Sequence, residues 1–290
     1  MTSSARHCST GKDNMKGSSS TSDSLVAFFA LTFLLSSPFY ILHALAHLHI
    51  LGKPEIGPAY IALFTVTPLV SAAILAPRGR ERRGVMQLFR KIFDFKRITI
   101  GRWYAPVLFL APLLFLSSIG GMLLSGVPLP PPMAPLMALP AVFLFFFLLA
   151  TGEEVGWMGY AFEPMQARAG ALRAALLLGM IWALWHIPFF IFVMPNPIVA
   201  GVQLLMLVGN RVLVAWVFNN TGRSVFSAIL FHAMGNTALV CLPDVNAIVP
   251  WGTVSLCGLT LVTAAVVTLL WGPQTLATYR FNQGASRCSK

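Results

Sequence analysis

Five residues of this chain have the types and spacing that peptide hydrolysis needs. Glu153 and Glu154 stand side by side just after the charge-free run Ala134–Ala150, in a chain with only nine acidic residues. His186 follows in Trp182-Ala-Leu-Trp-His-Ile-Pro188, and His232 and Asn236 share Phe231-His-Ala-Met-Gly-Asn236. A carboxylate oriented by a histidine can take a proton from water as a general base. A second histidine and an amide N–H can donate to an oxygen that gains negative charge in a tetrahedral intermediate. No serine or cysteine lies in a nucleophile motif beside these groups, which argues against a covalent intermediate. The competing chemistry uses Glu153, His186 and His232 as zinc ligands, but the HExxH pairing that would support it is absent.

Each of these groups has a bland reading as well. The two glutamates could lie in a solvated loop beyond the membrane, and either histidine alone could be a satisfied polar contact. Together they are costly to bury without a use, because ionisable groups inside a bilayer are expensive unless paired or hydrated. Arg211, embedded in another apolar run, either faces a carboxylate or snorkels to the interface.

The elements that must position these residues are transmembrane helices. The 290 residues are 57% hydrophobic and only 10% charged, against about 25% charged in soluble domains, and the mean hydropathy is +0.75. With roughly 20 apolar residues per span, the chain reads as all-α, a polytopic membrane protein of about eight transmembrane helices with an intramembrane polar site. The expected spans are 24–51, 59–76, 104–124, 137–156, 174–193, 198–218, 224–242 and 254–270. His232 and Asn236 are four apart, so they share a helix face about 6 Å along the axis. His232 lies about 12 Å into its span at 1.5 Å per residue. Pro188, lacking an N–H, is expected to loosen the helix just after His186.

Residues 1–23 read as a disordered cytoplasmic tail, 24–272 as the transmembrane domain and 273–290 as a second cytoplasmic tail. The first apolar run exceeds a signal-peptide core and is expected to be retained. Eight spans put 18 of the 20 Lys and Arg residues on one side, which the positive-inside rule makes cytoplasmic. Nine of them fall between Arg78 and Arg102, interleaved with Val85, Leu88, Phe89, Ile92 and Phe93 at helical spacing. Segment 78–102 therefore reads as a basic amphipathic helix on anionic lipid. The net charge of +11 needs no nucleic acid to explain it. His43, His47 and His49 read as a polar helix end rather than a metal site. Cys8, Cys241, Cys257 and Cys288 show no zinc spacing and read as free thiols.

Glu-Glu-Val-Gly-Trp-Met-Gly-Tyr, Trp-Ala-Leu-Trp-His-Ile-Pro and Phe-His-Ala-Met-Gly-Asn, in this order, resemble the three motifs of the CPBP family. These are the CAAX-processing type II endopeptidases and the bacteriocin-processing or immunity (Abi) proteins. The resemblance covers about 136–240. It implies that Glu153 activates water with help from His186, that His232 and Asn236 form the oxyanion site, and that Glu154 is the second glutamate of the pair. The family has an older metal-dependent description, but its eukaryotic CAAX members are regarded as glutamate proteases, so the resemblance implies no cofactor. The chain departs from the family pattern at Met158, where an arginine four residues after Glu154 is usual. Arg211 or Arg168 could replace it from elsewhere, or Glu154 could be protonated. Trp182 stands where the family usually has Phe.

The expected function is intramembrane hydrolysis of a membrane-associated peptide or protein, of CAAX type on the family's precedent, in a bacterial plasma membrane with both termini cytoplasmic. A catalytically silent immunity or scaffold protein is the first alternative, favoured by Met158. A proton-coupled transporter is the second.

Overall fold

In hydrocarbon every backbone N–H and C=O must be satisfied within the chain, and a helix does this without a partner. The computed structural model describes residues 13–48, 50, 57–76, 83–193, 196–245 and 251–277, and these form helices with no sheet among the described residues. They are α1 (Asp13–His47), α2 (Pro58–Thr65), α3 (Thr67–Leu75), α4 (Arg83–Lys91), α5 (Tyr104–Leu124), α6 (Leu139–Gly156), α7 (Glu163–Ala169), α8 (Ala171–Val193), α9 (Pro197–Asn220), α10 (Val225–Cys241) and α11 (Trp251–Trp271). Six helical stretches are long and apolar enough to cross a membrane, and two shorter apolar ones, 59–75 and 225–241, occupy the places of expected spans two and seven. The protein is an all-α integral membrane protein.

Four details differ from the sequence reading. The first helix is described from Asp13 rather than Ser24, because extending a formed helix needs no new nucleus. Span two is two helices meeting at Val66, with Pro68 in the first turn of α3, where its missing N–H does no harm. Span four does not end at the glutamates. Helix α6 passes through a π-helical turn, Trp157–Phe162, into α7, and the chain turns only at Gly170, whose φ of +80° suits glycine. Glu153 and Glu154 therefore sit mid-helix in the 34-residue stretch Leu136–Ala169. Finally, Pro188 lies inside α8, which continues to Val193. The side chains of His47 and His49 lie outside the described residues, and His43 is buried against the Tyr60 ring.

Helix α6 is the axis of the fold, packed on α10 on one side and on α2 and α3 on the other; α8, α9 and α11 pack in sequence, and α5 closes against α10 and α11. Glycine makes the α6–α3 contact possible. A Cβ at Gly152 would stand 2.8 Å from the Thr65 carbonyl oxygen, and one at Gly156 would stand 2.6 Å from backbone atoms of Pro68. Because the obstacle at 156 is backbone, Gly156→Ala is expected to destabilise the protein by about 1–3 kcal/mol. Thermal unfolding in lipid checks this; an unchanged midpoint would show that α3 can move aside.

The basic loops share one end of the bundle. The Arg97 guanidinium donates to the Arg223 carbonyl at 3.2 Å, Asn219 donates to Gln166 Oε1 at 3.0 Å and to the Thr275 carbonyl at 2.8 Å, and Lys91 lies 3.8 Å from Glu163. At the other end the Ala134 N–H donates to the Val240 carbonyl at 3.0 Å, beside the isolated bridge between Pro132 and Pro243.

Candidate active site

Adjacent helix positions point about 100° apart, so Glu153 and Glu154 meet different neighbours. Both are buried, at 4% and 0% exposure. Glu154 is held on both oxygens. Arg211 Nη1 of α9 donates to Oε2 at 2.7 Å, and His232 Nδ1 of α10 donates to Oε1 at 2.8 Å. Glu153 is held on one, with the Trp182 indole N–H of α8 donating to its Oε2 at 2.8 Å. Its other oxygen carries no hydrogen bond from the described residues. One carboxylate is thus fixed as a structural anion, and the other keeps a lone-pair face open.

Trp182 holds the site together. The Arg211 guanidinium carbon stands 4.1 Å above its ring centroid, a cation–π contact. That face matters because Arg211 is fully buried and its Nε and Nη2 find no hydrogen-bond acceptor among the described residues. The His186 and His232 rings meet Trp182 edge-on, with centroids at 4.9 and 5.5 Å. The next tryptophan fixes α8 itself. Trp185 stacks on Phe64 at 4.0 Å, its indole N–H donates to Ser36 Oγ at 2.8 Å, and its carbonyl accepts from the Tyr40 hydroxyl at 2.8 Å.

The two histidines are set differently. His186 Nδ1 lies 2.9 Å from the Trp182 carbonyl. A carbonyl only accepts, so Nδ1 carries the proton and Nε2 presents a lone pair. His186 makes no hydrogen bond to Glu153; the direct partner of that carboxylate is Trp182. His232 Nδ1 is engaged by Glu154, which leaves Nε2 facing away from it. Donation from that Nε2 requires the doubly protonated ring, and the Glu154 carboxylate supplies the counter-charge such a ring needs. Asn236 lies one turn further along α10, half-buried.

Sequence reading named all five residues but missed Trp182 as a donor. It left three routes open for Glu154, and the geometry selects Arg211: Arg168 is exposed on α7, while Met158 is fully buried in the apolar core. The zinc set does not assemble. Among the described residues no three His, Cys, Asp or Glu side chains converge as metal ligands.

This buried cluster, drawn from α6, α8, α9 and α10, is that of a polytopic membrane protein with an enclosed carboxylate–imidazole site. Residues 135–238, which contain all five named residues, match the family model described as Type II CAAX prenyl endopeptidase Rce1-like. A protein of Methanococcus maripaludis named CAAX prenyl protease 2 is 26% identical over 190 residues, which cover 59% of this chain and 68% of that protein. Both comparisons fall on the segment that carries the three motifs and agree with the family resemblance read from them.

Proposed function

We propose that this chain is an intramembrane endopeptidase that hydrolyses a membrane-associated peptide with water activated by Glu153, and that its catalytic core is 136–240. The observation that carries this reading is the unequal treatment of two adjacent buried carboxylates. Glu154 is saturated by Arg211 and His232, while Glu153 keeps one oxygen open and is held by Trp182, whose ring both imidazoles meet. The relative's name supplies the substrate class, a peptide of CAAX type.

Glu153 takes one proton from a water held by its second hydrogen to His186 Nε2. The water oxygen bonds to the scissile carbonyl carbon, and the carbonyl π pair moves onto oxygen. His232 Nε2–H and the Asn236 amide donate to that oxyanion. Collapse re-forms the carbonyl, breaks the C–N bond, and returns the proton from Glu153 to the leaving amine, with one water consumed.

Met158 is the feature that favours the catalytically silent alternative, and the Arg211–Glu154 pair weakens it by supplying the missing cation. We read the basic end of the bundle as cytoplasmic, so that the peptide arrives from that leaflet. The test is cleavage of a quenched fluorescent, membrane-anchored peptide by purified protein in lipid, with and without a zinc chelator. Turnover that survives chelator is expected, and Asn236→Ala is expected to lower kcat by about 10²–10³ with KM little changed. Peptide binding without turnover would establish the silent reading, and turnover abolished by chelator would overturn the water-activation scheme.

A further inference from the structure

We propose that the segment 84–103 is a strap that binds an anionic lipid leaflet and, through Asp94, holds α10 and its two site residues in register. The regulatory half of this proposal rests on the hydrolytic reading; the lipid-binding half does not.

The strap lies at the basic end of the bundle and runs into the start of the apolar stretch Gly101–Leu124, and its two faces have opposite characters. Leu88 and Ile98 are buried against the protein, while Val85, Met86, Phe89, Phe93 and Phe95 are exposed, Phe93 at 68%. Water is a poor solvent for five such side chains in one short stretch, and a run of this kind marks an interaction site. Arg90, Lys96 and Arg102 are exposed among them, and Asp94 is the segment's one acid. Apolar side chains interleaved with cations fit the headgroup–acyl boundary of an anionic leaflet. A neutral leaflet or an apolar protein partner would leave the cations without a counterpart.

Asp94 does not face that leaflet. Its Oδ1 accepts from the Ser224 hydroxyl at 2.7 Å and the Phe226 N–H at 3.0 Å, and its Oδ2 accepts from the Val225 N–H at 3.2 Å. These groups are the start of α10, whose own cap is the Ser224 hydroxyl accepting from the Ser227 N–H at 3.2 Å. A carboxylate at a helix N-terminus satisfies orphan donors and complements the helix dipole. Two turns further along α10 stand His232 and, one turn beyond, Asn236. Lys91 makes a second tie, donating to the Gly159 carbonyl of the π-helical turn that follows the glutamates, at 2.5 Å. The strap is therefore fastened to two of the four helices that carry the site, α10 and the continuation of α6. Seating it on lipid restrains the start of α10 and the turn after α6 together.

The test uses full-length protein and fluorescent phosphatidylglycerol, with fluorescent phosphatidylcholine as the neutral control. Lipid retention in micelles is measured first, then unfolding temperature and peptide turnover in nanodiscs of phosphatidylcholine with or without phosphatidylglycerol. Wild type is expected to retain the anionic probe preferentially, and to unfold at higher temperature and turn over faster in the anionic discs. Each neutralisation among Arg90→Gln, Lys96→Gln and Arg102→Gln is expected to weaken anionic retention about fivefold. The triple variant should behave in both discs as wild type does in the neutral one. Asp94→Asn should keep the retention but lose the anionic gain in turnover. Equal retention of both probes by wild type, or a triple variant that still prefers the anionic one, overturns the lipid surface. An Asp94→Asn protein that keeps the turnover gain overturns the coupling. Preferential retention with a shifted unfolding temperature but no turnover in any disc upholds the lipid surface, and removes the hydrolytic reading together with the coupling.

Discussion

Glu153→Gln is expected to lower turnover by about 10²–10⁴-fold while leaving the protein as stable as wild type, and Glu154→Gln is expected to damage both. The two side chains are neighbours of one type, so the contrast tests the environment. At position 153 a glutamine carbonyl can still accept the Trp182 indole N–H, now 2.8 Å from Oε2. The fold loses nothing, and only the ability to take a proton from water is gone. At position 154 the same change removes the counter-charge from Arg211, which has no exposure to water. It also leaves one acceptor oxygen where Arg211 and His232 now have one each. A buried charge left without its partner is destabilising by about 3–5 kcal/mol. Turnover and thermal unfolding are measured on the same preparations in lipid. A Glu153→Gln enzyme within tenfold of wild type would falsify the role given to that carboxylate, and a Glu154→Gln protein that loses only turnover would exchange the two assignments.

Trp182 extends the same contrast. Trp182→Phe keeps an aromatic face for Arg211 and for both imidazoles but has no N–H for Glu153. An intermediate loss is expected, about 10-fold for one missing hydrogen bond to a charged group, expressed in kcat with peptide affinity retained. An unchanged kcat would reduce the indole N–H to a packing detail.

The parts of the site visible in the sequence were those that need only one helix to be known. His232 and Asn236 are four residues apart, so they share a face whatever surrounds them. The embedded glutamates and histidines were visible because charge is rare in this composition. What the sequence withheld is how the helices are rotated against one another. A surface helix of a soluble protein shows its inner face as an apolar stripe, but α6, α8, α9 and α10 are apolar nearly all round, and that signal vanishes. Hence Arg211 could be placed in a span but not aimed, although it proves to face Glu154. For the same reason Trp182 read as an aromatic exchange when it is a hydrogen-bond donor. The eight apolar segments were legible from length and hydropathy. The continuation of α6 past Gly156 was not, because two charges closing an apolar run look like the end of a span; here they are buried mid-helix, and Gly156 allows the close approach to Pro68.

That turn decides the fate of the position where the family usually carries arginine. Arg211→Met is expected to cost about 3–5 kcal/mol and most of the turnover, since Glu154 then keeps only His232. Arginine at position 158 would restore the pair if 154 and 158 still shared a face, as residues four apart do on an α-helix. Met158, however, lies inside the π-helical turn Trp157–Phe162, where hydrogen bonds reach five residues along and the winding is wider. The residue four after Glu154 no longer stacks above it, and Met158 is fully buried among apolar side chains. Met158→Arg alone is therefore expected to destabilise the protein and raise no activity, and Arg211→Met with Met158→Arg is expected to be no better than Arg211→Met. Unfolding temperatures of the four proteins close a double-mutant cycle. Recovery in the double variant would mean that the turn can rewind as α-helix and that the two cation positions are interchangeable. Its failure would mean that moving the cation to α9 and winding the turn as π are one change, because an α-wound turn with methionine at 158 leaves Glu154 to be held from another helix, and Arg211 holds it while leaning on the face of Trp182.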